Sequence, residues 1–324
     1  MLTAGTGRGK STVLFAPLLA KREVDGEAVG LSVVPTKALG EDQVHLIITC
    51  IALYAISDIL FQAHSSTSRG FPGIAINEDS LREAASQTPP HHLFEEVLES
   101  KWALVVVSPE MLTTPRFNKL LTNSSFQQHL CLVFVDECHL VDEQGNDFRS
   151  CYKSIGLLRS RIPTIIPWIA VSATLPPGPH FNAVMKSLGF HAGHYTHCTL
   201  PIDNPHICYI PKVFQYPISG TSFLDLAWLI QASATSSHEI TKTLVFCETI
   251  ELGNRVLNFL HSLLPHPLCR DKKLILPYHS LLSKPGRVAV MENFKSGISL
   301  SFKVKFDDDD RKPLIRYHTN CSWN

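Results

Sequence analysis

Short, continuously apolar runs recur along the chain, and several of them end in a polar residue or a proline. Because they do not alternate with polar residues, they are typical of strands covered on both faces of a parallel sheet. Stretches with apolar residues at helical spacing, such as Leu93-x-x-x-Val97-Leu98, lie between them. This alternation predicts an α/β fold with a parallel sheet. The predicted strands are residues 31–34, 103–107, 130–135, 166–171 and 243–247.

Prolines and a glycine between residues 201 and 222 interrupt this pattern, and the apolar run TLVFC then starts a second α/β unit. The chain has 324 residues, which is enough for about two domains. We therefore predict a first domain over residues 1–200, a linker over 201–222 and a second, incomplete domain over 223–297. Residues 298–324 form a tail of different character, whose acidic run 307–310 we expect to be a solvated loop or a disordered end.

Composition narrows the class of protein. Hydrophobic residues make up 44% of the chain and charged residues 18%, so sizeable cores can form. Basic and acidic residues both number 29, which excludes a wholly basic nucleic-acid surface but not local basic patches. The apolar run 46–56 is too short to span a bilayer and predicts a buried helix. Nine cysteines without a C-x-x-C pair indicate reduced core residues and not disulfides or a zinc site.

The stretch AGTGRGKST, residues 4–12, has the pattern of a phosphate-binding loop. Glycines let backbone N–H groups turn inward toward phosphate oxygens. Lys10 would reach the β and γ phosphates, and Ser11 would place a hydroxyl on Mg²⁺. A chance glycine-rich segment is the alternative. The predicted nucleotide-binding residues are Ala4, Gly5, Thr6, Gly7, Arg8, Gly9, Lys10, Ser11 and Thr12.

The stretch VFVDECH, residues 133–139, places two carboxylates directly after a predicted strand. In this fold class Asp136 would bind Mg²⁺, and Glu137 would orient and deprotonate an attacking water. An Asp-Glu pair alone is also a common polar cap, but its place downstream of the phosphate loop favours nucleotide chemistry. Further on, Ser172 and Thr174 of VSATLPP either hydrogen-bond the acidic loop and relay its state or only cap a turn.

The order AGTGRGKS, VVPTKALGEDQV, VVSPEML, DECH, SAT and TLVFCET resembles the motor core of superfamily 2 helicases. Within that group the chain is most similar to the RecQ family of DNA helicases. The segment GNDFRSCY, followed by LLRSRIP, is similar to that family's G-x-D-F-R-x-x-Y…LR pattern, and NPHICY and PYHSL resemble two further family segments. The resemblance covers about residues 3–297.

The resemblance implies two RecA-like domains of the P-loop NTPase class, with ATP and Mg²⁺ as cofactors. Lys10, Ser11, Asp136 and Glu137 would perform the ATP chemistry, and His139 would couple it to the partner domain or to DNA. The implied partner is DNA, single-stranded or duplex with a single-stranded tail, unwound in the 3′→5′ sense in the nucleus and without a membrane. The residues implied to contact DNA are Pro35, Thr36, Lys37, Ser108, Phe148 and Arg149.

The chain also departs from the family. Gln144 stands where RecQ proteins carry a tryptophan, and no G-R-x-G-R segment with the arginine finger follows Gly297. Only Met1, Leu2 and Thr3 precede the phosphate loop, so we expect most of a central strand to be missing and two strand edges to be unpaired. We therefore expect a fragment, truncated at both ends, with a marginal first domain and impaired activity. A superfamily 2 RNA helicase and a non-catalytic remnant that binds nucleotide or nucleic acid are the alternative hypotheses.

Overall fold

The computed structural model describes residues 1–35, 72–143, 150–162, 165–203, 210, 213–271, 273–296, 300–304 and 316–319. The chain divides into two compact units, Met1–Cys208 and Tyr209–Asn324. This division lies inside the predicted linker, and the exact domain limits given above stay predictions.

The first unit is built on a seven-stranded sheet in which every strand runs parallel to its neighbours. Its spatial order is β3-β4-β2-β5-β6-β1-β7. This confirms the predicted α/β class, and the buried strands β4, β2 and β5 lie side by side within the sheet. The strands are β1 (Leu2–Thr3), β2 (Val29–Val33), β3 (Gly73–Ile76), β4 (Leu104–Val107), β5 (Leu130–Val135), β6 (Trp168–Ser172) and β7 (Cys198–Thr199).

The central strand β5 shows why continuous apolar runs mark this sheet. Leu132 and Phe134 pack into one buried cluster, and Val133 and Val135 pack into the cluster on the opposite face. Successive side chains of a strand point to opposite faces, so a strand covered on both sides needs apolar residues throughout. All four of these side chains are at most 2% exposed.

Helices lie between the strands, and several begin at residues that supply a cap. The Asn77 side chain accepts hydrogen bonds from the backbone N–H groups of Asp79 and Ser80 at 2.9 and 3.0 Å. Thr114 caps the helix that starts at Pro115 in the same way. The helix predicted from Leu93 is confirmed. The helices are α1 (Thr12–Val24), α2 (Glu78–Ser86), α3 (Leu93–Leu98), α4 (Pro115–Thr122), α5 (Ser124–His129), α6 (Leu140–Glu143), α7 (Ser154–Arg161) and α8 (Pro179–Ser187).

Strand β1 has only two residues, as the sequence predicts, but its position differs from the expected one. It is the sixth strand of seven, and Leu2 and Thr3 pair with β6 on one side and with β7 on the other. The expectation of unpaired edges at these two residues is therefore wrong, because a short strand from the end of the unit pairs with β1. That strand could not be recognised from sequence since it too has only two residues.

The second unit contains a four-stranded sheet of order β11-β8-β10-β9. Strands β8 (Thr243–Cys247), β9 (Ile275–Tyr278) and β10 (Leu300–Val304) are parallel, and β11 (Arg316–Thr319) pairs antiparallel with β8. Helices α9 (Ile250–Ser262) and α10 (Lys284–Lys295) lie between the strands along the chain. The segment predicted as a separate tail therefore contributes two strands to this sheet, whereas its acidic run lies outside the described residues, as does the helix predicted over 46–56.

The described cysteines are all free thiols, but they are not all in the core. Cys138 and Cys247 are buried, whereas Cys198 and Cys269 are exposed, so the prediction of core cysteines is wrong for these two. In the parts of the chain that the structure describes, no helix combines the length and apolar character needed to cross a membrane.

Candidate active site

Parallel strands end at the same edge of their sheet, and those predicted site residues of the first unit that the structure describes lie along this edge. The phosphate loop follows β1, Pro35 comes shortly after β2, and Ser108 follows β4 directly. Asp136 follows β5, and Ser172 is the last residue of β6. Segments far apart in sequence are thus brought to one edge, which is where open α/β sheets bind ligands.

The phosphate loop curls between β1 and α1. Gly7 and Gly9 have φ angles of 77° and 76°, a backbone conformation that other residues rarely adopt. Arg8 N–H donates to the Gly5 carbonyl at 3.2 Å, and Thr12 N–H donates to the Gly9 carbonyl at 3.0 Å. Residues 6–9 are exposed, so the surface of this curl is accessible to a ligand.

Lys10 reaches back across the loop. Its Nζ donates to the carbonyl oxygens of Ala4 and Gly5 at 3.1 and 3.2 Å. Ser11 lies at the start of α1, and its side chain makes no capping hydrogen bond. The loop therefore places an ammonium group and a hydroxyl that makes no capping hydrogen bond at a helix N-terminus. The helix dipole also favours an anion there.

Gly5 is needed for a different reason from the other two glycines. Its backbone runs so close to the segment after β7 that an added Cβ would lie 2.9 Å from the Ile202 carbonyl oxygen. Ala4, directly before it, is fully buried, and its N–H donates to the Ser172 carbonyl at 3.0 Å. The root of the loop is thus fixed on both sides by neighbouring strands.

The acidic motif is held at the end of β5. Asp136 N–H donates to the Val33 carbonyl at 3.0 Å, and Asp136 Oδ1 accepts from Glu137 N–H at 2.8 Å. Glu137 has a φ angle of 44°, which costs a non-glycine residue about 1–2 kcal/mol and places its carboxylate. Burial raises the pKa of the Glu137 carboxyl, and the positive charge of Lys10 partly opposes this rise. The positive charge of Lys10 therefore links the phosphate loop to the acidic motif electrostatically.

His139 connects the acidic motif to β6. Its Nδ1 lies 3.0 Å from Ser172 Oγ and 3.3 Å from Glu137 Oε2. Ser172 is fully buried, and its Oγ also accepts from Thr174 N–H at 3.1 Å. Ser172 therefore caps a turn and also contacts His139 of the acidic motif, whereas a relay through this contact stays a prediction. The Thr174 side chain is exposed.

The residues implied to contact nucleic acid are only partly described. Pro35 is buried, and its carbonyl accepts from Tyr152 Oη at 3.1 Å; its implied contact with nucleic acid stays a prediction. Ser108 is half-buried, and its carbonyl accepts from Met111 N–H at 3.0 Å. Thr36, Lys37, Phe148 and Arg149 lie outside the described residues.

Sequence reasoning missed a side chain that contacts the residue directly before the loop from the β7 side. His197 Nε2 lies 3.2 Å from Thr3 Oγ1, one residue before the loop, and 194 positions separate the two in sequence. His197 belongs to no motif recognised in the sequence, so the sequence gives no signal for such a contact.

The arrangement fits a nucleotide bound with Mg²⁺. The loop offers backbone N–H groups, Lys10 and the Ser11 hydroxyl, and Asp136 offers a carboxylate. Within the described ranges, no three His, Cys, Asp or Glu side chains cluster to hold a metal by themselves. Mg²⁺ usually keeps waters and phosphate oxygens as ligands beside one or two protein groups, which suits the predicted pair Ser11 and Asp136.

Comparison with known proteins relates the first unit to helicases. The model of the family described as DEAD/DEAH box helicase matches residues 1–180. The ATP-dependent helicase wrn-1 of Caenorhabditis elegans is 39% identical over 71 residues, which are 22% of this chain and 6% of that protein. The ATP-dependent DNA helicase RecQ of Haemophilus influenzae is 28% identical over 99 residues, which are 31% of this chain and 15% of that protein. The matched stretches therefore span a small part of these relatives.

Among solved structures, the chain is similar to the DUF1998 helicase MrfA bound to DNA. The TM-score is 0.59 at 17% identity, and the match covers 94% of this chain and 39% of that chain. At this identity the likeness concerns the fold alone, and it supports the predicted pair of RecA-like units.

Proposed function

The chain belongs to the DEAD/DEAH box helicase family, and on that premise we propose that it is the motor core of a RecQ-like, ATP-dependent DNA helicase. The observation that carries this proposal is the convergence of the phosphate loop, the acidic motif and Ser172 at one sheet edge. The charge of Lys10 acts on the Glu137 carboxyl there, and His139 contacts both Glu137 and Ser172.

Each residue has a distinct part in this proposal. The backbone of residues 5–9 and the Lys10 ammonium bind the phosphates, and Ser11 and Asp136 hold Mg²⁺. Bound Mg·ATP supplies the phosphoryl bond whose hydrolysis releases the free energy for movement. Glu137 orients the attacking water and accepts its proton. The raised pKa of its carboxyl suits that task, because a stronger base accepts a proton more readily.

The nucleic-acid side of the proposal rests on the same edge of the sheet. Ser108 follows β4 there, and Thr36 and Lys37 come just after β2 in sequence. Together with Phe148 and Arg149 they would contact the backbone and bases of a single strand. His139 and Ser172 would transmit the state of the nucleotide, and the RecQ resemblance implies 3′→5′ movement on DNA in the nucleus.

ATP hydrolysis measured with single-stranded DNA and with single-stranded RNA of equal length tests the proposal. We expect stronger stimulation by DNA, and we expect Lys10→Ala to lower the rate at least about a hundredfold, as for removal of a group that binds the transferred phosphate. Lys21→Ala, which removes an exposed lysine from α1, is the matched control. Unwinding of duplexes with a 3′ or a 5′ tail then tests the direction.

The same measurements separate the alternatives. Stronger stimulation by RNA would replace the DNA proposal with an RNA helicase. A wild-type rate equal to that of Lys10→Ala would identify a non-catalytic remnant, and nucleotide binding measured by titration would show whether the site still recognises ATP.

A further inference from the structure

The segment Cys198–Ile202, here called the strap, runs beside the root of the phosphate loop. Cys198 N–H donates to the Met1 carbonyl at 2.9 Å, and Leu200 N–H donates to the Thr3 carbonyl at 2.8 Å. At its far end the strap passes Gly5, where an added Cβ would lie 2.9 Å from the Ile202 carbonyl oxygen. The chain from Met1 to Gly5 therefore lies against the strap from the first residue of the strap to its last.

His197, directly before the strap, makes the side-chain contact that ties these segments together. Its Nε2 lies 3.2 Å from Thr3 Oγ1 and 3.3 Å from Thr199 Oγ1. Thr3 is 2% exposed, so its hydroxyl must find its partners inside the protein. Thr3 Oγ1 also lies 3.5 Å from the Leu175 carbonyl, which follows the SAT stretch. A carbonyl only accepts, so the Thr3 hydroxyl donates to Leu175 and accepts from His197 Nε2–H.

The face of the His197 ring also packs against an aromatic side chain. It stacks on Phe181 of α8, with centroids 4.6 Å apart and planes 28° apart. Burial lowers the pKa of His197, which favours the neutral imidazole that this arrangement uses. The side chain thus joins α8, the strap and the residue before the phosphate loop.

We propose that His197 is a positioning residue for the phosphate loop, which it holds by donating a hydrogen bond to Thr3 and by fixing the strap beside Gly5. The proposal rests on the proposed function only for its effect on ATP. Its structural part concerns the loop itself and can be measured without nucleotide.

Hydrogen exchange of the amides in residues 2–15, measured without nucleotide, tests the structural part. We expect His197→Ala to speed exchange in this segment about fivefold, the loss of one hydrogen bond of about 1 kcal/mol. His197→Gln should recover most of the protection because its amide can donate at the same place. His194→Ala, an exposed histidine of the same connection, is the matched control and should leave the segment unchanged.

Thr3→Val is a second route to the same contact, since it removes the hydroxyl and keeps the shape of the side chain. It should reproduce the exchange pattern of His197→Ala. Unchanged exchange in residues 2–15 for either variant, or an increase spread evenly over the first unit, would overturn the proposal. So would a Gln variant that behaves like Ala.

Measurement of ATP binding then tests the proposed function and the role of His197 separately. If the protein binds Mg·ATP, His197→Ala should weaken binding about fivefold and His197→Gln should restore it. If the wild-type protein binds no nucleotide, the proposed function fails, while the exchange data still decide whether His197 positions the loop.

Discussion

His139, in the turn after β5, contacts Ser172 at the end of the neighbouring strand β6, with imidazole Nδ1 3.0 Å from the hydroxyl Oγ. The same imidazole nitrogen lies 3.3 Å from Glu137, and the same hydroxyl accepts from the Thr174 backbone. A change at the acidic motif is thus connected by two contacts to the turn after β6. We propose that the nucleotide state is coupled to the rest of the unit along these contacts.

Ser172→Ala tests that route. It removes the partner of His139 and the acceptor for Thr174 N–H, at a cost of about 1 kcal/mol in the free energy of unfolding. We expect the affinity for ATP to change little. Stimulation of ATP hydrolysis by nucleic acid should fall about tenfold, which corresponds to a typical coupling free energy between two sites. Ser172→Thr keeps the hydroxyl and should retain stimulation. Full stimulation in the Ala variant would show that coupling does not pass through this hydroxyl.

The buried carboxyl of Glu137 predicts a pH dependence of stability. Because its pKa is raised in the folded protein, the protonated carboxyl contributes to the free energy of unfolding. This contribution is fully present below the pKa of the unfolded state and is lost as the pH rises through the pKa of the folded state. Glu137→Gln has no such group. The variant should therefore gain stability relative to the wild type as the pH rises above about 4.3, the ordinary value for glutamate.

Thermal unfolding of both proteins between about pH 4 and 8 measures this difference. Glu95→Gln, which changes an exposed glutamate of α3, is the matched control. A stability difference between Glu137→Gln and the wild type that stays constant over this range would show that burial of Glu137 has no energetic cost.

Much of this site could be predicted because its parts are local patterns. Strand β5 matches the predicted residues 130–135, and the carboxylates directly after it follow from the edge rule for parallel sheets. The contact of His197 with Thr3 could not be predicted, because neither residue belongs to a pattern. The left-handed backbone of Glu137 and the approach of Gly5 to Ile202 are likewise set by tertiary packing and leave no mark in residue type or spacing.

Gly156 is another position where packing overrides local preference. Gly156 is the third residue of α7, and helix propensity alone predicts that Gly156→Ala would stabilise the protein by about 1 kcal/mol. An added Cβ would instead overlap the backbone carbonyl oxygen of Ser187 in α8. We expect a loss of about 3 kcal/mol or more in the free energy of unfolding of the first unit.

Thermal unfolding measures this loss as a fall in Tm of about 6–12 °C. Ser160→Ala, at an exposed position of the same helix, should change the free energy of unfolding by less than about 0.5 kcal/mol. A Gly156→Ala protein as stable as the wild type would mean that the two helices separate without cost.

In the second unit, Arg255 hydrogen-bonds a segment that is distant from it in sequence. From α9 its Nη1 donates to the carbonyl oxygens of Ser219 and Gly220 at 2.8 and 2.7 Å, and its guanidinium lies 5.9 Å from the Phe223 ring centroid. Hydrogen bonds from a charged donor contribute about 1.5–3 kcal/mol, so Arg255→Ala should lower the free energy of unfolding of this unit by about 2 kcal/mol. It should also speed hydrogen exchange across residues 215–223, whereas Asn254→Ala, at the exposed neighbouring position, should change neither. If exchange in that segment stays slow in Arg255→Ala, the segment is held to the unit by apolar contacts and not by the guanidinium.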